Sequence, residues 1–476
     1  MARLSCFHSL RTIPQFCRVH LLFPRTSQLV LLILLSLLAL PVISRVSCSS
    51  SFRLSASAVD YGSSRATEAA SQDPDRSEYV TDSSANDDAS RVCRELVEPN
   101  GFTCEDHRVV TRDGFILGLQ RVTSRQLDAS GAVSDVNITS GGNGKGVYRG
   151  VVLLQHGLFL GAESWVVGPP GISLPFLLAR LGFEVWLGNS RCGPWSYGHT
   201  RWKPKDKDYW EWTWVGMARH DLPAQIDHIL AASHMGARQV FYVGHSQGTL
   251  TFLSALTAGY LPSSTIAAAF LLAPVTSLAH LSSPIAHEAA KLDLDRLVRA
   301  TRVHEFSLRN ALGELVVATA CASPRINCSS LLSAFTGPNC CIDIRYFAKL
   351  VPWFPLASSV KNMAHFGQMV RSGEWKQFDY GFIQNWLRYH QSTPPFFHAS
   401  DFPSTTRLAI AYGGKDSLAV PADVEWLISR LAQRPKVLYM PDYAHLDFLF
   451  ATSVATDVHT QIVRFFTEYE LDRAYE

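Results

Sequence analysis

Charge of either sign is what this sequence has least of to offer a partner. Its 43 Lys and Arg stand against 41 Asp and Glu, a formal net charge of +2 over 476 residues. With no basic stripe interleaved with aromatics either, nucleic-acid binding is set aside. Missing too is the C-x₂-C spacing with a companion histidine pair, so the cysteines do not read as a zinc site, and neither metal nor cofactor is called for. Past the first fifty residues no run is long and apolar enough to span a bilayer. Large apolar side chains are scarce from 49 to 90, where Ser, Ala and Asp dominate. That composition reads as a disordered linker or propeptide, because it cannot bury enough surface to fold.

What is present begins with a leader. Arg11, Arg18 and Arg25 precede an apolar run from Leu29 to Leu40, a charged n-region and an h-region of signal-peptide length within residues 1–48. An uncleaved signal anchor is the alternative, since Val42 and Ile43 extend the run. Cysteine usage agrees with an oxidising route. Cys93 and Cys104 flank a first hairpin that their pairing would staple, and Cys321, Cys328, Cys340 and Cys341 cluster further on with connectivity left open. Asn137-Ile138-Thr139 and Asn327-Cys328-Ser329 are glycosylation sequons in such a compartment. The expected destination is the secretory pathway: outside the cell, a lysosome-like vacuole, or a membrane if the anchor stays.

Chemistry announces itself at Gly244-His245-Ser246-Gln247-Gly248. Gln239 to Val243 is a short β-branched and aromatic run, the signal of a buried strand, and Thr249 to Leu256 has helix-compatible spacing. A serine at a tight strand-to-helix turn is exposed for attack, and Gly244 and Gly248 let the two elements approach closely. A serine hydroxyl also needs a base beside it. Downstream, Leu408 to Tyr412 reads as a strand ending in Gly413-Gly414-Lys415-Asp416, and Val437 to Met440 as another, followed by a loop carrying His445. The order Ser246, Asp416, His445 is that of an α/β-hydrolase triad, with His445 as base and Asp416 fixing its tautomer. Asp423 and Asp442 are rival acids, while Asp447 reads as a helix cap. The strand Gly150–Leu154 leads into Gln155-His156-Gly157-Leu158. The backbone N–H groups of Leu158 and Gln247 are the expected oxyanion-hole donors, and His156 is expected to hold the loop by a hydrogen bond.

These stretches resemble the acid lipases, the family of gastric and lysosomal acid lipases and their plant relatives. The likeness runs from about Val92 to about Phe466. It includes Trp186-Leu187-Gly188-Asn189-Ser190-Arg191, Asp221-Leu222-Pro223-Ala224, His445-Leu446-Asp447-Phe448 and the hairpin segments Phe102–His107 and Arg112–Leu117. Thr336-Gly337-Pro338-Asn339-Cys340-Cys341 looks closest to the plant branch. The resemblance implies an α/β fold with a mostly parallel sheet, the triad Ser246, Asp416 and His445, and an insertion acting as cap and lid. Three positions depart from the family pattern: Cys192 stands for a glycine, Val215 for an acidic residue and Val420 for a second Asp.

The expected layout is a first core part at 91–274, a cap at 275–405 and a second core part at 406–476. The interval from Pro274 to Leu408 is far too long for a simple connection. It carries helix-like segments at Ile285–Leu292 and Val360–Val370, and aromatic stretches at Tyr346-Phe347, Val351–Leu356 and Pro394–Phe397. Most of these aromatics are expected to pack the cap on the core, and a few to line an acyl tunnel. The expected function is hydrolysis of triacylglycerols or sterol esters through an acyl-enzyme on Ser246, working transiently at a lipid droplet or membrane surface. Acyl transfer by the same triad and lipid binding without turnover are the alternatives.

Overall fold

The computed structural model describes residues 91–124, 148–196, 198–234, 236–291, 303–307 and 331–474. The leader, the 49–90 linker, both sequons, Cys321 and Cys328 lie outside the described residues. Among the described residues ten strands are formed: β1 Phe102–Val110, β2 Ile116–Ser124, β3 Gly150–Gln155, β4 Phe183–Gly188, β5 Val240–His245, β6 Ile266–Leu272, β7 Glu305–Phe306, β8 Ser358–Ser359, β9 Arg407–Gly413 and β10 Lys436–Met440. The principal helices are α1 Leu174–Arg180, α2 Leu222–Ala232, α3 Gln247–Thr257, α4 Pro284–Lys291, α5 Leu331–Thr336, α6 Ile344–Leu350, α7 Val360–Ser372, α8 Phe382–Tyr389, α9 Pro421–Arg430 and α10 Thr460–Ala474.

Eight strands make one sheet in the order β1-β2-β4-β3-β5-β6-β9-β10. Only β1 with β2 and β2 with β4 pair antiparallel; the rest is parallel. The apolar runs explain this, since β5 and β6 are buried along their whole length, as strands covered on both faces must be. From β3 the chain moves one way to β4, then returns past β3 to β5 and continues outward. With right-handed crossovers, that reversal sends helices to opposite faces and opens a crevice at the carboxyl ends of β3 and β5. Leu158 follows β3 and Ser246 follows β5, so the crevice is where the sequence motifs meet.

At the other end of the sheet, the Cys93–Cys104 disulfide ties the chain entering the domain to β1. Arg191, buried after β4, joins three separate motifs. Its Nε donates to both Asp221 oxygens at 3.0 and 3.1 Å, its Nη1 to Asp113 at 2.9 Å, and its guanidinium lies 4.0 Å from the Phe115 ring centroid. The β1–β2 turn, the loop after β4 and the start of α2 are thereby locked together. Two of the departures also find a physical setting. Cys192 adopts φ 64°, the left-handed region in which a glycine is unstrained. Val420 is the residue before α9 and makes no side-chain cap where an Asp could have made one.

Replacing Arg191 with Met should destabilise the fold by about 3–5 kcal/mol, because it strands the buried Asp221 carboxylate. Urea unfolding would read this directly, and adding Asp221→Leu should recover part of the loss. A single variant as stable as the parent would contradict the role assigned to this ion cluster.

Candidate active site

Ser246 sits at φ 52°, ψ −118°, a strained turn between β5 and α3 that presents its hydroxyl at the mouth of the crevice. The turn closes only because glycines surround it. A Cβ on Gly248 would lie 2.5 Å from the Gln155 carbonyl oxygen, and one on Gly157 would lie 2.9 Å from the Ser246 Cβ. Gly244 is equally confined, 2.8 Å from the Tyr242 ring. Two segments distant in sequence, the ends of β3 and β5, therefore meet in close contact.

The remaining residues come from the ends of β9 and β10. His445 Nε2 lies 2.8 Å from Ser246 Oγ, and His445 Nδ1 lies 2.8 Å from Asp416 Oδ2. The other Asp416 oxygen accepts the Leu418 and Ala419 amides, each at 2.8 Å. A carboxylate already taking these donors accepts the His445 Nδ1 proton, which leaves Nε2 as the acceptor facing the serine hydroxyl. All three side chains are buried, Ser246 retaining 8 % exposure.

The rival acids lie elsewhere. Asp423, on α9, is held by His280 Nδ1 at 2.7 Å and by the His280 amide at 3.1 Å, and Asp442 is exposed. Asp447 is not the cap expected of it: the helix Asp447–Phe450 begins after Leu446 with no side-chain cap bond, and Asp447 instead accepts the amides of Ala444, Cys340 and Cys341 at 2.7, 3.1 and 3.2 Å.

Gln247 is the first residue of α3, where helix amides have no intrahelical acceptor. Among the described residues neither its amide nor that of Leu158 donates to a backbone carbonyl. His156 has the structural place expected of it: it accepts the Ser190 amide on Nε2 at 3.0 Å and donates from Nδ1 to the Gly157 carbonyl at 2.8 Å. Burial holds its pKa down to about 4. His245, also driven neutral by burial, donates from Nε2 to the His445 carbonyl at 3.0 Å. Beside the two amides lies a small cavity lined by the apolar side chains of Leu158, Phe159, Trp195, Met217 and Leu356 and by the polar residues Asn189, Ser190, Arg191, Gln247 and Ser358.

Sequence reasoning missed the inserted segment's grip on this machinery. Asn362 of α7 donates to the Gln247 side-chain carbonyl at 2.9 Å and accepts the Trp214 amide at 2.7 Å. The Thr336 carbonyl accepts the amides of Ser417 and His445, and Asn339 accepts that of Leu446 at 3.1 Å. Cys340 and Cys341 are disulfide-bonded to each other. The Thr336–Cys341 stretch stood out in the sequence only as a resemblance, and its job is to brace the loops carrying Asp416 and His445. Among the described residues, no group of three or more His, Cys, Asp or Glu is placed to hold a metal ion.

The alpha/beta hydrolase fold family model matches residues 150–452, and a partial alpha/beta-hydrolase lipase region matches residues 93–169. This fold and crevice define an α/β-hydrolase. Triacylglycerol lipase 1 of Arabidopsis thaliana is 36 % identical over 79 % of this chain and 90 % of its own. Lipase member K of Mus musculus is 32 % identical over 82 % and 94 %, and human gastric triacylglycerol lipase 32 % over 77 % and 89 %. The chain belongs to the acid lipase family of α/β-hydrolases.

Two outcomes follow from this geometry. Gly248→Ala should cut ester turnover at least about 100-fold, since the added methyl pushes the turn from the Gln155 carbonyl by the order of 1 Å. Turnover within twofold of the parent would show that the contact is not needed.

The second concerns acid. His156 and His365, the latter held down to about 3 by burial, stay neutral in the fold but titrate near 6.5 when unfolded. As pH falls from 6.5 towards 4 the unfolded chain gains protons that the fold refuses, so each histidine removes stability, on the order of 3 kcal/mol over the window. The buried Glu163 carboxyl, pushed up by burial, works in the opposite sense. His365→Phe, which keeps the stacking on Trp214, should therefore shrink the stability lost between pH 7 and pH 4.5. An unchanged loss in urea titrations would refute this.

Proposed function

We propose that this protein is a serine-dependent carboxylic ester hydrolase acting on lipid esters, triacylglycerols or sterol esters. The observation that carries the proposal is the unbroken chain of 2.8 Å contacts from Asp416 through His445 to Ser246, beside two amides with no backbone acceptor. Ser246 Oγ attacks the ester carbonyl as His445 Nε2 takes its proton, and Asp416 stabilises the imidazolium. The Leu158 and Gln247 amides bind the oxyanion of the tetrahedral intermediate. His445 then gives the proton to the departing alcohol, leaving an acyl group on Ser246. A water molecule, deprotonated by His445, attacks that acyl group, and collapse releases the fatty acid and restores the serine.

The lipid character of the substrate is supported by the family and by the apolar side chains among those bordering the two amides. Phe159 packs with Phe306 and Val360 of the inserted segment, so the loop that follows β3 carries an apolar cluster next to Leu158. Each buried methylene is worth about 0.8 kcal/mol, so long chains should be favoured strongly. Residues 275–405 are read as the cap that selects the ester. The Cys93–Cys104 bridge supports passage through an oxidising compartment, and no helix among the described residues is long and apolar enough to cross a membrane.

Ser246→Ala should lower turnover of trioleoylglycerol and cholesteryl oleate by at least about 10⁴-fold, and Asp416→Asn by about 10⁴-fold. Asp423→Asn should leave it within a few-fold. Full activity in Ser246→Ala, or a larger loss in Asp423→Asn than in Asp416→Asn, would overturn the assignment.

A further inference from the structure

Helix α8 is built inside out. Phe382, Ile383, Trp386 and Leu387 are 68, 70, 57 and 67 % exposed, while the buried residue of the helix is Asn385. That asparagine donates to Asp379 at 2.8 Å and to the Ser392 carbonyl at 3.0 Å, and accepts the Tyr380 amide at 2.9 Å. The anchoring is polar and the outward face apolar, the reverse of an ordinary surface helix. Exposed at i, i+1, i+4 and i+5, the four side chains form a single stripe along a helix of about 12 Å.

The surroundings favour one occupant. Between Asp379 and Asp401 the chain has no carboxylate, and it carries Arg388, which is exposed. An apolar stripe beside a guanidinium suits a surface of hydrocarbon under anionic phosphate headgroups. A second protein copy suits it less well. Four partly exposed large side chains offer on the order of 500 Å², short of the roughly 800 Å² per partner of a stable complex. A helix lying in a lipid surface needs only its apolar face sunk by about 5–10 Å. The stripe is also joined to the active site. The Tyr380 ring lies between Arg388 of α8, 4.4 Å from its centroid, and Lys361 of α7, at 4.8 Å. Asn362, the next residue of α7, is the one bonded to Gln247.

We propose that α8 is the docking element by which this protein binds a phospholipid-coated lipid surface, with Phe382, Ile383, Trp386 and Leu387 entering the acyl layer and Arg388 at the headgroups. The choice of a lipid ester as the cargo of that surface rests on the proposed hydrolase function; the binding itself does not.

The test compares the parent protein with Trp386→Glu/Leu387→Glu and, as a control for an isolated exposed leucine, Leu471→Glu on α10. Flotation with phosphatidylcholine vesicles containing about one-fifth phosphatidylglycerol reads binding, since anionic lipid engages Arg388. Hydrolysis of a phospholipid-coated trioleoylglycerol emulsion and of a water-soluble short-chain ester reads turnover. Expected are a tenfold or greater loss of flotation and of emulsion turnover in the double variant, short-chain turnover within twofold of the parent, and a control like the parent. Equal flotation of parent and double variant would overturn the proposal. So would a parent that does not float but sediments as a dimer that the double variant dissolves, because the occupant is then a second copy. A parent that hydrolyses neither ester but floats, with flotation lost in the double variant, would sustain docking and refute the hydrolase reading.

Discussion

The backbone contact between Gly248 and the Gln155 carbonyl is the constraint on which the site depends. It brings the start of α3 against the end of β3, so Gln247 and Leu158 border the same cavity. Any side chain at position 248 would separate them. The strain at Ser246 is the cost of this closeness, and it is held by the surroundings: the Ser246 amide donates to Leu272 of β6, and Thr249 Oγ1 bonds back to the Ser246 carbonyl. Buried strands on either side of β5 leave the turn no room to relax.

A second layer of support comes from outside the sheet. Asn362 holds the Gln247 side chain, and Thr336, Asn339 and Asp447 hold the loops after β9 and β10. A Cβ on Gly337 would approach the Lys415 carbonyl oxygen to 2.1 Å, so this brace is packed as tightly as the turn it supports. The inserted segment is thus a structural partner of the residues around Ser246 as well as, through Leu356 and Ser358, a wall of the cavity beside them.

Much of the fold was legible because its signals are local. The runs at Gly150, Gln239, Leu408 and Val437 lie between glycines, prolines or polar turns, and each became a strand within a residue or two of the expected span. Ser246, Asp416 and His445 could be singled out because each follows such a strand, and the structure brings them within hydrogen-bonding reach. The long-range contacts were not legible. Nothing local marks Asn362 as the partner of a glutamine 115 residues away, or Thr336 as an acceptor for His445. Helix α8 fails for a different reason. Periodicity shows that a helix has an apolar face but not which way the face turns, and here a buried asparagine turned it outward.

The central claim is that acyl transfer passes through Ser246, and it is tested most directly by trapping. The protein would be mixed briefly with a long-chain ester at saturating concentration, quenched in acid and digested, and the acylated peptide located by mass spectrometry. The account predicts one acyl group, on the peptide carrying Ser246, and none when His445 is replaced by Gln. An acyl group on another residue, or rapid hydrolysis with an adduct unaffected by loss of His445, would contradict it.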